Sequence, residues 1–106
     1  MVNAFAGEVA VVLDGKHHVM RLTLGALAEL EGALEVGSLI DLVERFEAGR
    51  FSTRDVLALI VAGLRGGGWQ GMAADLLRVE IGGGPVEAAR AAAEVLARAF
   101  QLPAGA

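Results

Sequence analysis

The side chains of this chain best suited to acid–base chemistry are two adjacent histidines, His17 and His18. Imidazole titrates near neutral pH and binds transition metals, so a histidine pair can serve catalysis or a metal site. This pair lies in a run of strand-forming residues, and successive side chains of a strand point to opposite faces. Two such rings cannot hold one ion together. We therefore expect one half-buried and one exposed histidine, and no metal.

Three glutamates, Glu29, Glu31 and Glu35, form a second group that could do chemistry. Glu31 and Glu35 lie one helical turn apart, and neighbouring carboxylates can share a proton or bind a hard cation. No histidine or basic residue accompanies them in the sequence. A solvated helix face is therefore the favoured interpretation.

Two glycine triplets, residues 66–68 and 82–84, invite comparison with a phosphate-binding loop. Such a loop needs Gly-Lys-Ser/Thr at the start of a helix that follows a strand. The first triplet follows a predicted helix and has no lysine. The second precedes a helix whose amides could hold an anion, but no lysine or hydroxyl residue follows. We expect flexible breaks here.

Cysteine and tyrosine are absent as well, so no catalytic or cofactor-binding residues are predicted and the chain is expected not to be an enzyme.

Large apolar and basic side chains suggest a surface that binds a partner. Trp69 lies in a glycine-rich loop, where it could either close the core or anchor a partner. Arg45, Arg50 and Arg54 could dock an acidic partner, but neighbouring carboxylates favour a salt-bridged surface. Phe51 precedes a capping serine and is expected to act as a hydrophobic staple. The candidate partner interface comprises Phe51, Trp69, Met72, Leu76 and Phe100.

The residues around the histidine pair predict a β-hairpin over residues 7–22. Its first strand is rich in β-branched residues and has apolar residues at alternate positions. Asp14-Gly15 follows, a dipeptide that tolerates the positive φ angles of a type I′ turn. This turn sets the register, placing Leu13 opposite Lys16 and Val9 opposite Met20. One face of the hairpin is then apolar and needs a cover.

Helical spacing predicts that residues 24–101 form a helical body. Thr23 is an N-cap for the first helix, whose leucine stripe is expected to cover the hairpin and which Gly37 is expected to end. Ser-x-x-Asp capping boxes start the second and third helices, and the third is apolar almost all round. The stripe of the first helix is Leu24, Leu27, Leu30 and Leu34.

The C-terminal third contains a short predicted helix over residues 72–78 and a long one over residues 86–101. Residues 79–81 could end the short helix or form a brief extended segment, and residues 102–106 are expected to fray. The whole chain, 1–106, is therefore predicted to be a single α+β domain, mostly helical, with an N-terminal β-hairpin packed on about four to five α-helices. The predicted buried stripe of the long helix is Val86, Ala89, Ala93, Leu96 and Phe100.

Composition narrows the possible partners. The net charge is −4 over 106 residues, and an acidic surface is unsuited to nucleic acid or an anionic membrane. The absence of cysteine excludes disulfides and thiolate metal sites. The first residues lack a signal peptide's basic region, and the longest apolar run is about half of a membrane span. We expect a cytoplasmic protein.

Two segments of the chain resemble a family of small phage tail proteins. Residues 7–31 contain GEVAVVLDGK and RLTLGALAELE, which resemble the opening of a family found in gene transfer agents, phage-like particles made by some bacteria. Residues 52–68, STRDVLALIVAGLRGGG, provide the second match. Such families are described either as tail tube subunits or as tail-assembly chaperones. The resemblance implies partners among the tail proteins, the tape-measure protein or the tail tube protein, in the cytoplasm or within an assembling particle.

Three functions are compatible with these residues. A tail-assembly chaperone would shield the tape-measure protein until the tube polymerises around it. A structural tail tube subunit is the alternative, but tubes of phage type are built mainly from strands that continue between subunits. The third function, a small ligand-binding or enzymatic domain, lacks a residue constellation to support it. Helical content therefore favours the chaperone. Homo-oligomerisation and strand addition at the hairpin edge remain open.

Overall fold

The computed structural model describes residues 2–3, 6–34 and 38–100. This part of the chain forms an antiparallel β-hairpin followed by five helices, which confirms the predicted α+β, mostly helical fold. Residues Glu35, Gly37, Gln101 and 102–106, for which predictions were made, lie outside the described residues. The elements are β1 (Val9–Leu13), β2 (Lys16–Met20), α1 (Leu24–Ala33), α2 (Leu39–Glu47), α3 (Thr53–Gly66), α4 (Ala73–Leu76) and α5 (Gly84–Phe100).

The hairpin has the predicted register, with Leu13 opposite Lys16 and Val9 opposite Met20. Asp14 and Gly15 adopt φ angles of 49° and 78°, as a type I′ turn requires. Since the register determines which side chains share a face, the apolar face carries Val9, Val11, Leu13 and Met20, all of them buried.

The cover of this face differs from the prediction, because α3 and α5 pack on the strands while α1 packs mainly on α3. Leu24, the first leucine of the predicted α1 stripe, is 84% exposed, and the buried residues of α1 are Ala26 and Leu30. Glycines on α3 explain the difference. They allow α3 to approach β2 more closely than a helix with larger side chains at those positions could.

The contact between α3 and β2 corrects the interpretation of the first glycine triplet as a flexible break. A methyl group built on Gly66 would lie 1.8 Å from the carbonyl oxygen of Arg21, and one built on Gly67 would lie 2.0 Å from that of Val19. The Arg21 amide donates to the Gly63 carbonyl oxygen over 2.8 Å. The first two glycines of the triplet are therefore close-packing positions.

Local capping chemistry sets the starts of α2 and α3 as predicted. Ser38 and Asp41 form one capping box, and Ser52 and Asp55 form the other. In each box the serine hydroxyl accepts a hydrogen bond from the amide of the aspartate, and the carboxylate accepts one from the serine amide. The third helix then runs through the centre of the protein, in contact with β2, α1, α4 and α5.

The buried face of α5 is rotated from the predicted stripe. Val86 is 82% exposed and Phe100 is 43% exposed, and of the predicted stripe only Leu96 is fully buried. Alanine is so frequent in this helix that helical spacing does not distinguish one face from another. Packing selects the face with the smallest side chains, since these let α5 lie close to α3 and β1. The buried residues are Ala88, Ala91, Ala92, Val95 and Leu96.

The segment between α4 and α5 adds a short extended piece to the hairpin. Ile81 forms an antiparallel bridge with Leu13, the Gly82 amide donates to the Val12 carbonyl oxygen over 2.9 Å, and the Asp14 amide donates to that of Glu80 over 2.8 Å. The extended alternative for residues 79–81 is therefore the one observed. The short helix α4 occupies only the first part of the predicted 72–78 helix.

Candidate functional site: an apolar groove between three helices

The residues first considered for chemistry lie apart from one another. His17 is exposed and His18 half-buried, on opposite faces of β2. Glu29 forms an ion pair with Arg65 over 2.8 Å. Within the described part of the chain, no group of three or more His, Asp or Glu residues is placed to hold a metal ion. The remaining candidate sites are surfaces that could bind another molecule.

An open groove of about 570 Å³ lies between α3, α4 and the first turns of α5. Its walls are almost entirely apolar. Besides Glu80, the only polar side chain that contributes to the lining is Thr53. A small-molecule site usually combines an apolar lining with a few converging polar groups, whereas the groove for an amphipathic helix is mainly apolar. The principal apolar residues are Phe51, Val56, Leu57, Ile60, Leu76, Leu77, Ile81 and Pro85.

The wall at the start of α3 is held by aromatic stacking. Phe51 stacks on Phe46 of α2 with ring centroids 4.4 Å apart and an interplanar angle of 8°. Phe51 precedes the N-cap and Val56 is the fourth residue of α3, the two positions that a hydrophobic staple joins. Both residues line the groove, so the local capping motif also shapes this wall.

The opposite wall consists of α4 and the segment that follows it. Leu76 is buried, whereas Leu77 is 74% exposed at the rim of the groove. Arg65 holds the start of this wall by donating to the Gly71 carbonyl oxygen over 3.3 Å and to the Met72 sulfur over 3.3 Å. At the other end, the Glu80 amide donates to the Asp14 carboxylate over 2.9 Å. The wall is thus anchored at both ends to the body of the protein.

The structure brings two residues of the candidate interface together and places the other three elsewhere. Phe51 and Leu76 line the groove. Met72 is exposed beside Arg65, and Phe100 lies at the far end of α5 from the groove. Sequence reasoning missed Val56 and Ile60 as lining residues, since a helix that is apolar all round gives no sign of which of its sides borders a groove.

Trp69 is half-buried and packs against the core, outside the groove lining. Its ring lies over Gly71, where an added methyl group would be 2.0 Å from the indole Cζ2. We expect Gly71→Ala to displace the ring toward solvent at a cost of about 1 kcal/mol. Since Trp69 is the only tryptophan, its fluorescence maximum should shift to longer wavelength. Gly32→Ala, at an open helical position, should leave the emission unchanged.

Of the three arginines near the turn between α2 and α3, Arg45 forms an ion pair with Asp55. Arg45 donates from Nε and Nη2 to the two carboxylate oxygens of Asp55, each over 3.0 Å. Burial alone would raise the pKa of Asp55, but hydrogen bonds from Arg45 and from the Ser52 amide, together with the Arg45 charge, hold that pKa below its usual value. This turn therefore has a structural role.

Hydrogen bonds also occupy much of the hairpin's outer edges. On β1, Val12 and Asp14 pair with residues 80–82, and at the other end the Glu8 carbonyl oxygen accepts from Arg98. On β2, Arg21 pairs with Gly63, and Gly67 packs directly over the Val19 carbonyl oxygen. A further strand would have to displace several of these contacts. The groove is therefore more accessible to a partner than the sheet edges are.

These features define a small α+β protein with an apolar groove on its surface. The sequence matches the family model described as "Phage tail tube protein, GTA-gp10" over residues 6–102. The chain therefore belongs to this family of phage tail proteins, as the resemblance of its hairpin and third helix to gene transfer agent proteins indicated. No curated protein and no solved structure matches the chain.

Within the described residues, none of the helices combines the length and the apolar character needed to cross a membrane.

Proposed function

We propose that this protein is a non-enzymatic tail-assembly chaperone whose apolar groove binds a helical segment of the tape-measure protein. Membership of a phage tail family supports a partner among the other tail proteins. A chaperone must cover apolar surface on its client before the tube forms around that client. A groove lined by aliphatic and aromatic side chains is suited to this task, because it can bury the apolar face of an amphipathic helix.

The observation that carries this proposal is that the groove is open to the surface and has exposed apolar side chains beside it. Its lining comes from three helices, and exposed Leu77 extends its apolar surface at the rim. Val86, which is also exposed, follows Pro85 of the lining. Exposed apolar residues beside an apolar groove are typical of a protein-binding surface. The anchored ends of the α4 wall keep this surface open in the free protein, so little ordering is required for a client to enter.

We expect Leu77→Glu to abolish capture of the tape-measure protein, because a carboxylate would lie where the client's apolar face must pack. Stability should change by no more than about 0.5 kcal/mol, since Leu77 is 74% exposed. The measurement is co-purification of the two proteins after co-expression, with thermal unfolding of each variant. The matched control is Ile40→Glu on α2, which is 68% exposed and lies outside the groove. Equal capture by wild type and Leu77→Glu would contradict the proposed site.

A structural tail tube subunit is the second candidate, favoured by the description of the family as phage tail tube proteins. The two-stranded sheet and its largely occupied edges weigh against this role, because a tube of phage type continues its strands between subunits. Electron microscopy of concentrated protein distinguishes the two candidates. Regular hollow tubes would support the tube subunit, whereas dispersed particles that bind the tape-measure protein would support the chaperone.

A further inference from the structure

Glu80 is the one charged residue among those that line the groove. Every other side chain of the lining is apolar or, in the case of Thr53, neutral. Glu80 is exposed, and no ion pair joins its carboxylate to any of the described residues. The groove therefore has a charge whose partner is not supplied by this part of the protein.

The main chain holds Glu80 in a fixed place relative to the hairpin turn. Its amide donates to the Asp14 carboxylate over 2.9 Å, and its carbonyl oxygen accepts from the Asp14 amide over 2.8 Å. The neighbouring Ile81 bridges to Leu13. The backbone that carries this charge is therefore already ordered, so pairing with a partner requires ordering of the Glu80 side chain but not of its main chain.

We infer that Glu80 selects clients whose amphipathic helix carries a lysine or arginine beside its apolar stripe. The inference rests on the proposed function and specifies the client. With the apolar stripe of the client helix in the groove, a basic residue at the edge of that stripe could reach the Glu80 carboxylate. An acidic residue at the same position would meet a like charge. Charges at the rim of an interface act mainly through such discrimination and through the rate of association. The net charge of −4 favours the same clients.

The test uses overlapping synthetic peptides that together cover the tape-measure protein of the same phage-like particle. Binding to the full-length protein is measured by fluorescence anisotropy at low and at high salt. We expect the bound peptides to carry Lys or Arg one helical turn from their apolar residues. Glu80→Gln should weaken their binding about 3- to 5-fold at low salt, as expected for an exposed ion pair. The difference should shrink at high salt because the charges are screened.

Charge exchange provides the sharper comparison. Glu80→Lys should weaken the binding of the best peptide about 10-fold. The same variant should bind more tightly to a version of that peptide whose basic residue is replaced by Glu. Glu31→Gln on α1 is the matched control, since Glu31 is an exposed glutamate outside the groove. All variants keep the backbone contacts of residue 80, and circular dichroism checks that they fold.

Each outcome separates the client preference from the proposed function. If peptides bind and Glu80→Gln binds them as well as wild type does, the selection by Glu80 is wrong and the groove still binds clients. If no peptide binds wild-type protein, the proposed function fails and the client preference fails with it. Bound peptides without a basic residue beside the apolar stripe would also overturn the inference.

Discussion

Gly66→Ala is expected to destabilise the protein by about 2–4 kcal/mol, although alanine is the better helix former. Gly66 is the last residue of α3, and a methyl group there would lie 1.8 Å from the Arg21 carbonyl oxygen. A backbone oxygen cannot rotate away as a flexible side chain can. The helix must therefore move from β2, which separates Gly63 from its contact with buried Met20. Urea unfolding followed by circular dichroism measures this loss.

Gly32→Ala is the matched control for this prediction. Gly32 lies in the last turn of α1, and a methyl group there would meet no atom within 4 Å. Helix propensity then acts alone and should stabilise the protein by about 0.5–1 kcal/mol. The two substitutions are chemically identical and are expected to have opposite signs. If Gly66→Ala were as stable as Gly32→Ala, the close packing of α3 on β2 would be refuted.

Asp55→Ala is expected to destabilise the protein by about 2–4 kcal/mol. The substitution removes the capping-box acceptor of α3 and leaves the Arg45 guanidinium without its bidentate partner. Asp41→Ala removes the corresponding acceptor of α2, which is exposed and forms no bidentate pair, so it should cost only about 0.5–1 kcal/mol. Thermal unfolding of the two variants at neutral pH compares them. Equal losses would mean that the Arg45–Asp55 pair adds nothing to capping.

The same pair predicts a dependence of stability on pH. The pKa of Asp55 is lower in the folded protein than in the unfolded chain, so its stabilisation is present above the unfolded pKa of about 4. That stabilisation is lost as the pH falls through the folded pKa. The difference in unfolding free energy between wild type and Asp55→Ala should thus be constant from pH 7 to about pH 5 and should narrow below about pH 4.

The comparison with Asp55→Ala is needed because Glu87 also has a lowered pKa. Hydrogen bonds from Arg90 lower that pKa and outweigh the opposing effect of burial. Glu87 is distant in sequence from Asp55 and is present in both proteins, so its contribution cancels in the difference. A difference that stays constant down to pH 2 would contradict the lowered pKa of Asp55.

The proposed function places the working surface of this protein on its helices and gives the hairpin a supporting role. The hairpin contributes its turn, since Asp14 anchors both main-chain polar groups of Glu80. The strands form a platform for α3 and α5, whose exposed sides form two walls of the groove. A tail protein organised in this way would meet its partner through side chains, whereas a tube subunit would do so through main-chain strand pairing.

The features of this protein that its sequence alone determined are those formed by short-range interactions. The Asp14-Gly15 dipeptide adopts the two positive φ angles of the turn. The position of this turn in the chain then sets which residues of the two strands face each other. The capping boxes of α2 and α3 also formed as predicted, since the serine and aspartate of each box lie three residues apart. Each of these features is decided by residues that are neighbours in the chain.

The tertiary structure alone decided which helix covers the hairpin, which face of α5 is buried, and where the groove lies. Those outcomes depend on contacts between residues far apart in the chain. In the sequence, Gly66 is recognisable only as a residue that can end a helix. Its close approach to the Arg21 carbonyl oxygen arises only when α3 packs against β2. The groove has the same origin. Phe51 and Leu76 were recognised as large apolar residues, but their shared surface with Ile60 and Ile81 arises because α3, α4 and α5 leave a space between them.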